Sequence, residues 1–267
     1  MDSIFTRDGA AWVPSAAALG PWGASLHGGA PAALLAHVLD ALEAAPGPLA
    51  RVTLDLFRPV PAAPLEVSVR PLRIGRRLAV QEAILSAGDR ELVRAVSVHG
   101  DEITLPEPVD PPACPLPGME EVEETTLAGS VRSEGGPSLP GADGLHHRLL
   151  VRRGAGTPGS GAGSAWMRLP LDLAPGVPLT PVAHLAACSD FANGLAQRVQ
   201  LTGDGGIGFI NADISLHLLR APTEKRIAMV ARNEAHPGGR ALVSAECWQA
   251  DGLVARVVQT ALVMPRN

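Results

Sequence analysis

Cysteine is scarce. Cys114, Cys188 and Cys247 are the only three, far apart and with no CxxC pair, which argues against a disulfide framework and a cysteine zinc site. Long apolar runs are missing: none reaches the roughly 18 residues of a membrane span. The opening MDSIFTRDGAAWVP has neither the basic nor the apolar region of an export signal. The expectation is a reduced, cytoplasmic protein without a membrane span. Positive charge is not in excess either. With 22 Lys and Arg against 27 Asp and Glu, the net charge is −5 and no global field favours nucleic acid. Tyrosine is absent while glycine and proline number 29 and 25, a bias that reads as genome composition. There is no GxSxG nucleophile elbow. GDGGIG (203–208) fits GxGxxG by letter, but it precedes a strand instead of joining a strand to a helix, so it is weak as a dinucleotide loop.

What is present is enough for a globular core: 267 residues, 46% hydrophobic and 18% charged. The first block, from Phe5 to about Leu105, contains an Ala/Leu-rich helix. The strand-like runs RVTLDLFRPV (51–60) and LEVSVRPLRI (65–74) follow it, then two strands around an AGD turn at 87–89. Residues 106–163 carry Pro-rich, acidic and Gly/Ser-rich stretches, with strand candidates at HHRLLV (146–151) and AWMRLP (165–170). The second block opens with PLTPVAHLAACSDFANGLAQRV, read as one helix with Thr180 as N-cap and Pro181 in its first turn. Strand-like runs follow at 209–220, 225–233, 240–249 and 253–264. LDLFRPV parallels LHLLRAP, placing Arg58 on Arg220. RRLAVQEAILSAGDRELVRAVSV parallels GRALVSAECWQADGLVARVVQTAL, placing Asp89 near Asp251. Helix then antiparallel strands, twice, is an internal duplication of an α+β unit.

Chemistry-bearing residues stand out at four places. His27, Gly28 and Gly29 sit where the first helix begins, so unpaired N–H groups and the positive helix end could meet a phosphate or a carbonyl oxygen that gains charge. A tight turn before a core helix, with Leu34, Leu35, Val38 and Leu42 on the sheet, is the plainer alternative. Asp190 lies in the second helix among Ala186, Ala187, Asn193 and Gly194; a solvated helix face accounts for it equally well. Asn211 and Gln259 are amides in aliphatic strands, where an outward-facing position is the ordinary explanation. Arg73, Arg76 and Arg77 read as a surface hairpin, His146 and His147 as a strand edge, and EEVEE as a solvated run.

Taken in order, HGG before an apolar helix, SDFANGL in the second helix, FINADISLHLLR after it and RVVQTALV at the end resemble the double-hotdog acyl-CoA thioesterases of the thioesterase II type. The resemblance covers nearly the whole chain except the 106–163 connection. It implies two tandem hotdogs, each an antiparallel sheet wrapped around one long helix: 1–105, a linker over 106–140, and 141–267. In that family an Asp of the second helix, a hydroxyl residue on the next strand and a Gln near the C-terminus carry hydrolysis. Asp190 and Gln259 match the first and third; Asn211 stands where a Thr is expected.

The resemblance further implies an oxyanion site at Gly28 or Gly29 shaped by His27, Trp22 lining an acyl pocket, and no metal or redox cofactor. It implies an acyl-CoA or acyl-carrier-protein substrate, a role in lipid metabolism, and a homodimer or higher homo-oligomer of double hotdogs. The halves are unequal. The place of Asp190 in the first helix falls near Ala36 beside His37, and that of His-Gly-Gly in the second near Pro181-Val182, so one working site between the halves is expected. A carrier-protein dehydratase or cyclase, a non-catalytic acyl-thioester binder and an interaction scaffold are the alternatives.

Overall fold

A computed structural model describes residues 2–265 apart from 22–23, 42–44, 108, 110–111, 117–123, 134–142, 157–158 and 198–206. A short hairpin, β1 (Phe5–Asp8) and β2 (Ala11–Pro14), precedes helix α1 (Gly29–Asp40). The strands β3 (Leu49–Leu56), β4 (Glu66–Ile74), β5 (Leu78–Ala87) and β6 (Arg90–Gly100) complete the first half. Next come β7 (Thr125–Thr126), α2 (Leu127–Ser133), α3 (Leu145–Arg148), β8 (Leu150–Arg153) and β9 (Ala162–Arg168). The second half continues with α4 (Pro181–Ser189), α5 (Ala192–Leu195), β10 (Ile207–Asn211), β11 (Asp213–Leu218), β12 (Ile227–His236), β13 (Arg240–Gln249) and β14 (Gly252–Pro265).

All strands except β1 and β2 join one sheet, ordered β4-β5-β6-β3-β11-β14-β13-β12-β9-β8-β7, with β10 also on β14. Every pairing of named strands is antiparallel, as short hairpin connections require. The halves meet where β3 pairs with β11, and there Thr53 faces Ser215. In the alignment that sets Arg58 on Arg220, Thr53 is the counterpart of Ser215. Equivalent residues facing each other across an antiparallel pair place a local two-fold axis between them. The same alignment carries β5 onto β13 and β6 onto β14 over their full matching lengths.

Helices α1 and α4 pack on each other inside the curled sheet. Residues Gly29–Ala36 of α1 and Val182–Ser189 of α4 are buried, as expected of helices apolar all round. Leu34 and Leu35 lie in the core, Val38 is half-buried, and Leu42 lies outside the described residues.

Three elements differ from expectation. HHRLLV is not one strand: Leu145 and Leu149, one helical turn apart and both fully buried, make its first part the helix α3. The second helix breaks at Asp190 into α4 and α5. β4 does not bury an alternating face. It is a sheet edge bearing Pro71 and arginines, and Val69, Leu72 and Ile74 are exposed, whereas its counterpart β12 is covered by β9 and buried. Among the described residues, no helix is long and apolar enough to cross a membrane.

Candidate active site

Two glycines open α1, yet neither has a positive φ; Gly28 is helical at φ −58°, ψ −24°. They are required for space. A Cβ on Gly28 would lie 2.8 Å from both carboxylate oxygens of Asp190, and one on Gly29 would lie 2.7 Å from the carbonyl oxygen of Ala187. One oxygen brought against the helix start is the protein's own carboxylate.

Asp190 ends α4 as its C-cap, only 8% exposed. Its Oδ2 lies 2.8 Å from Nδ1 of His27. Asn211 Nδ2 donates to Asp190 Oδ1 at 2.8 Å and to the Asp190 carbonyl at 3.1 Å. The same His27 Nδ1 is 3.2 Å from the Gly29 nitrogen. One ring nitrogen cannot donate to a carboxylate and accept from an amide together, so we assign Nδ1–H to Asp190 and direct the Gly29 N–H to that carboxylate. Burial pushes the Asp190 carboxyl up, but the charge and hydrogen bonds of His27, Asn211 and Gly29 outweigh it and hold it below the ordinary carboxylate value. The Gly28 N–H meets no acceptor among the described residues.

Gln259, fully buried on β14, donates Nε2 to the Ser189 carbonyl at 2.9 Å. Neither amide faces outward as its ordinary strand reading would have it. Each spends its N–H on the end of α4, and both carbonyl oxygens, Asn211 Oδ1 and Gln259 Oε1, are left buried without a partner among the described residues. The structure thus brings His27, Gly28, Gly29, Asp190 and Asn211 together and sets Gln259 against the adjoining Ser189. Trp22 lies outside the described residues.

Sequence reasoning missed two neighbours of His27. Phe191 stacks on its ring at a centroid distance of 4.1 Å, and His146 lies parallel to it at 6.3 Å. Phe191 follows Asp190 directly and could have been found from that adjacency. His146 sits on α3 rather than at a strand edge, delivered by the bond from Leu145 N to Leu19 O. No group of three or more His, Cys, Asp or Glu is arranged to hold a metal among the described residues.

The profile of the acyl-CoA thioesterase N-terminal domain matches residues 18–100, and that of the C-terminal domain matches 117–263. Three solved structures resemble the chain. A candidate thioesterase from Novosphingobium aromaticivorans is 24% identical with a TM-score of 0.72, covering 97% of this chain and 98% of that one. A conserved hotdog-fold protein of unknown function from Alicyclobacillus acidocaldarius is 18% identical with a TM-score of 0.71, covering 97% and 95%. An acyl-CoA thioesterase II from Mycobacterium marinum is 17% identical with a TM-score of 0.65, covering 98% and 96%. No curated protein sequence matches the chain. At these identities the structural likenesses establish the fold, a double hotdog. The two profiles together span most of the chain, which belongs to the acyl-CoA thioesterase family. It is an enzyme, and its reaction is thioester hydrolysis.

Proposed function

We propose that this chain hydrolyses an acyl-CoA at one site between its halves, with Asp190, Asn211 and Gln259 on one side and His27, Gly28 and Gly29 on the other. The observation that carries the reading is the buried, ionised Asp190 carboxylate held against the start of α1 by His27 and Asn211. A carboxylate held low is a weak base and a weak nucleophile, so it needs a well-placed partner. The buried carbonyl oxygens of Asn211, which is bonded to it, and of Gln259, bonded to the adjoining Ser189, are two acceptors with no donor among the described residues. A water that gives one O–H to such an oxygen keeps the other for Asp190, and this favours water attack over direct attack by Asp190.

In this mechanism the water oxygen bonds to the thioester carbon as Asp190 takes its proton. The carbonyl oxygen gains charge, which the Gly28 N–H and the positive end of α1 stabilise. The carbon–sulfur bond then breaks, and the leaving thiolate takes up the proton that Asp190 received, which restores the carboxylate. His27 keeps the carboxylate charged and aimed. Asn211 fills the expected hydroxyl position by donating Nδ2–H to Asp190, as a hydroxyl would. Cytoplasmic lipid metabolism and a homo-oligomer of double hotdogs are the setting this reading implies.

Asp190→Asn tests it: kcat for a series of acyl-CoAs should fall by a hundredfold or more, on the order of a lost general base, with the melting temperature little changed. Retained hydrolysis in a folded variant would overturn the site.

A further inference from the structure

The local two-fold axis relates two loops that the site does not use. Phe57 and Arg58 both donate their backbone N–H to the Leu92 carbonyl, at 3.1 and 3.3 Å. At the equivalent positions Leu219 and Arg220 donate to the Val254 carbonyl, at 2.8 and 3.4 Å. The backbones match, but the guanidinium groups do not. Arg220 is neutralised: it forms an ion pair with Asp251 and bonds Gln249 Oε1 at 3.3 Å. Arg58 reaches only the Glu91 carbonyl, at 2.7 Å, and forms no ion pair with Asp89, the counterpart of Asp251, among the described residues.

Two further exchanges open this corner of the first half. Ala87 replaces Gln249, which removes the side chain that fills the space, and Arg90 replaces Gly252, which adds a second cation. A cavity of about 370 Å³ results, lined by Arg58, Pro59, Pro61, Ala87, Arg90 and Leu92. Glu91 is turned away, bound through both oxygens to Arg94 at 2.8 and 3.1 Å. Two arginines therefore line the cavity, on a chain whose net charge is −5.

The cavity lies on a strap between the two sides of the candidate site. Leu56 N donates to the carbonyl of Ala212, next to Asn211, and the Val60 carbonyl accepts from Leu26 N, next to His27. Arg58 and Pro59 are the middle of that strap.

We propose that this cavity binds the phosphate-bearing portion of the thiol half of the substrate, a phosphorylated pantetheine thioester, and so seats the scissile bond on the half that carries His-Gly-Gly. Paired guanidinium groups match phosphate oxygens in charge and geometry. The inference rests on the site reading above for its direction of entry. The phosphate can belong to a free nucleotide-linked thiol or to a prosthetic arm on a carrier protein.

The test is kcat/KM for one acyl group carried on pantetheine, on 4′-phosphopantetheine, on dephospho-CoA, on CoA and on an acyl-carrier protein, with the whole chain and its variants Arg90→Gln, Arg58→Gln and the double change. The unaltered enzyme should favour at least one phosphorylated thioester over acyl-pantetheine by tenfold or more, through KM and less so at high salt. That preference should fall at least fivefold in the double variant. Whichever phosphorylated substrate loses most identifies the source of the phosphate. Arg90 is exposed and its side chain forms no hydrogen bond or ion pair among the described residues, so Arg90→Gln keeps the test open if Arg58→Gln fails to fold. A phosphate preference that survives the double change, or none in the unaltered enzyme, overturns the proposal. The catalytic reading fails separately: Asp190→Asn would then stay active whatever the arginines do.

Discussion

Where α1 begins, the helix has no side-chain cap, and its first turn faces a carboxylate across a gap that only glycine allows. Where α4 begins, Thr180 accepts from the Ala183 N–H at 3.2 Å and Pro181 has no N–H to offer, so the end is closed. The ends opposite them differ as much. The end of α4 meets Asn211 and Gln259; the strand positions equivalent to these are Leu49 and Ser97. One duplicated plan thus carries an open, charged corner and a closed, neutral one. The lesson is that the second corner did not simply lose polarity. Ser97 Oγ, Gln81 Oε1, His99 Nε2 and His37 Nδ1 are buried there without partners among the described residues, and His37 and Asp40 are driven toward their neutral forms by burial.

The largest effect should come from closing the open corner. Gly28→Ala places a methyl inside the contact distance of the Asp190 carboxylate and must displace it. A shift of about 1 Å in a catalytic group costs on the order of a hundredfold in rate. We expect such a loss in kcat, against less than about a threefold change for His37→Ala, within what a residue outside the chemistry causes. Comparable losses in the two variants would make the corners equivalent and break the comparison. Next, giving the open corner the residues of the closed one should act more mildly. Asn211→Leu or Gln259→Ser each leaves Asp190 and His27 in place, and steady-state kinetics should show roughly tenfold to hundredfold lower kcat, from one lost hydrogen-bonding group. Asn211→Thr, which restores a hydroxyl, should stay within about threefold of the parent, the size of a conserved hydrogen bond.

The two helices also differ in their histidines. His184 on α4 is fully buried, accepts the Leu169 N–H at its Nε2 at 3.0 Å, and is held down to about 3 by burial. Above its ordinary value of 6.5 neither folded nor unfolded chain carries its proton, and it costs nothing. Between 6.5 and about 3 only the unfolded chain takes the proton up, so stability falls with pH, by up to about 1.4 kcal/mol per unit. Asp190 adds the same sign lower down, since its folded value lies below 3.8 and its contribution fades only as pH drops through that range. Urea unfolding at stepwise lower pH should show this decline, and His184→Gln should flatten its upper part.

Much of this was legible in the chain. Thr180 and Pro181 mark the start of α4 and cap it as read; the AGD turn and the strands around it lie where the alternation puts them. Less legible was what depends on distant partners. The helix break at Asp190 has no glycine or proline to announce it. The carbonyls of Ser189 and Asp190 are taken instead by side-chain amides 70 and 21 residues further along the chain. The role of Gly28 is equally non-local, since it is set by a carboxylate from the other half. The Gly9-Ala10 turn between β1 and β2, with Gly9 at φ 56° in its first position, is a local hairpin signal legible in the chain.

The smallest expected effect is the most telling about the closed corner. Ser97 faces Gln81 across β5 and β6 and is fully buried, and its hydroxyl has no partner among the described residues. At the open corner the equivalent pair is Val243 and Gln259, so the amide has moved one strand over. A buried hydroxyl without a hydrogen bond costs about 1 kcal/mol or more. Ser97→Ala removes that cost and leaves a void no larger than one oxygen, so it should raise stability by about 1 kcal/mol, about 2 °C in melting temperature for a chain of this size. A fall in melting temperature would instead mean that Ser97, Gln81, His99 and His37 are satisfied together through bound solvent. The closed corner would then be a second polar pocket maintained by the fold, and the asymmetry between the halves would be a difference in chemistry rather than the loss of one site.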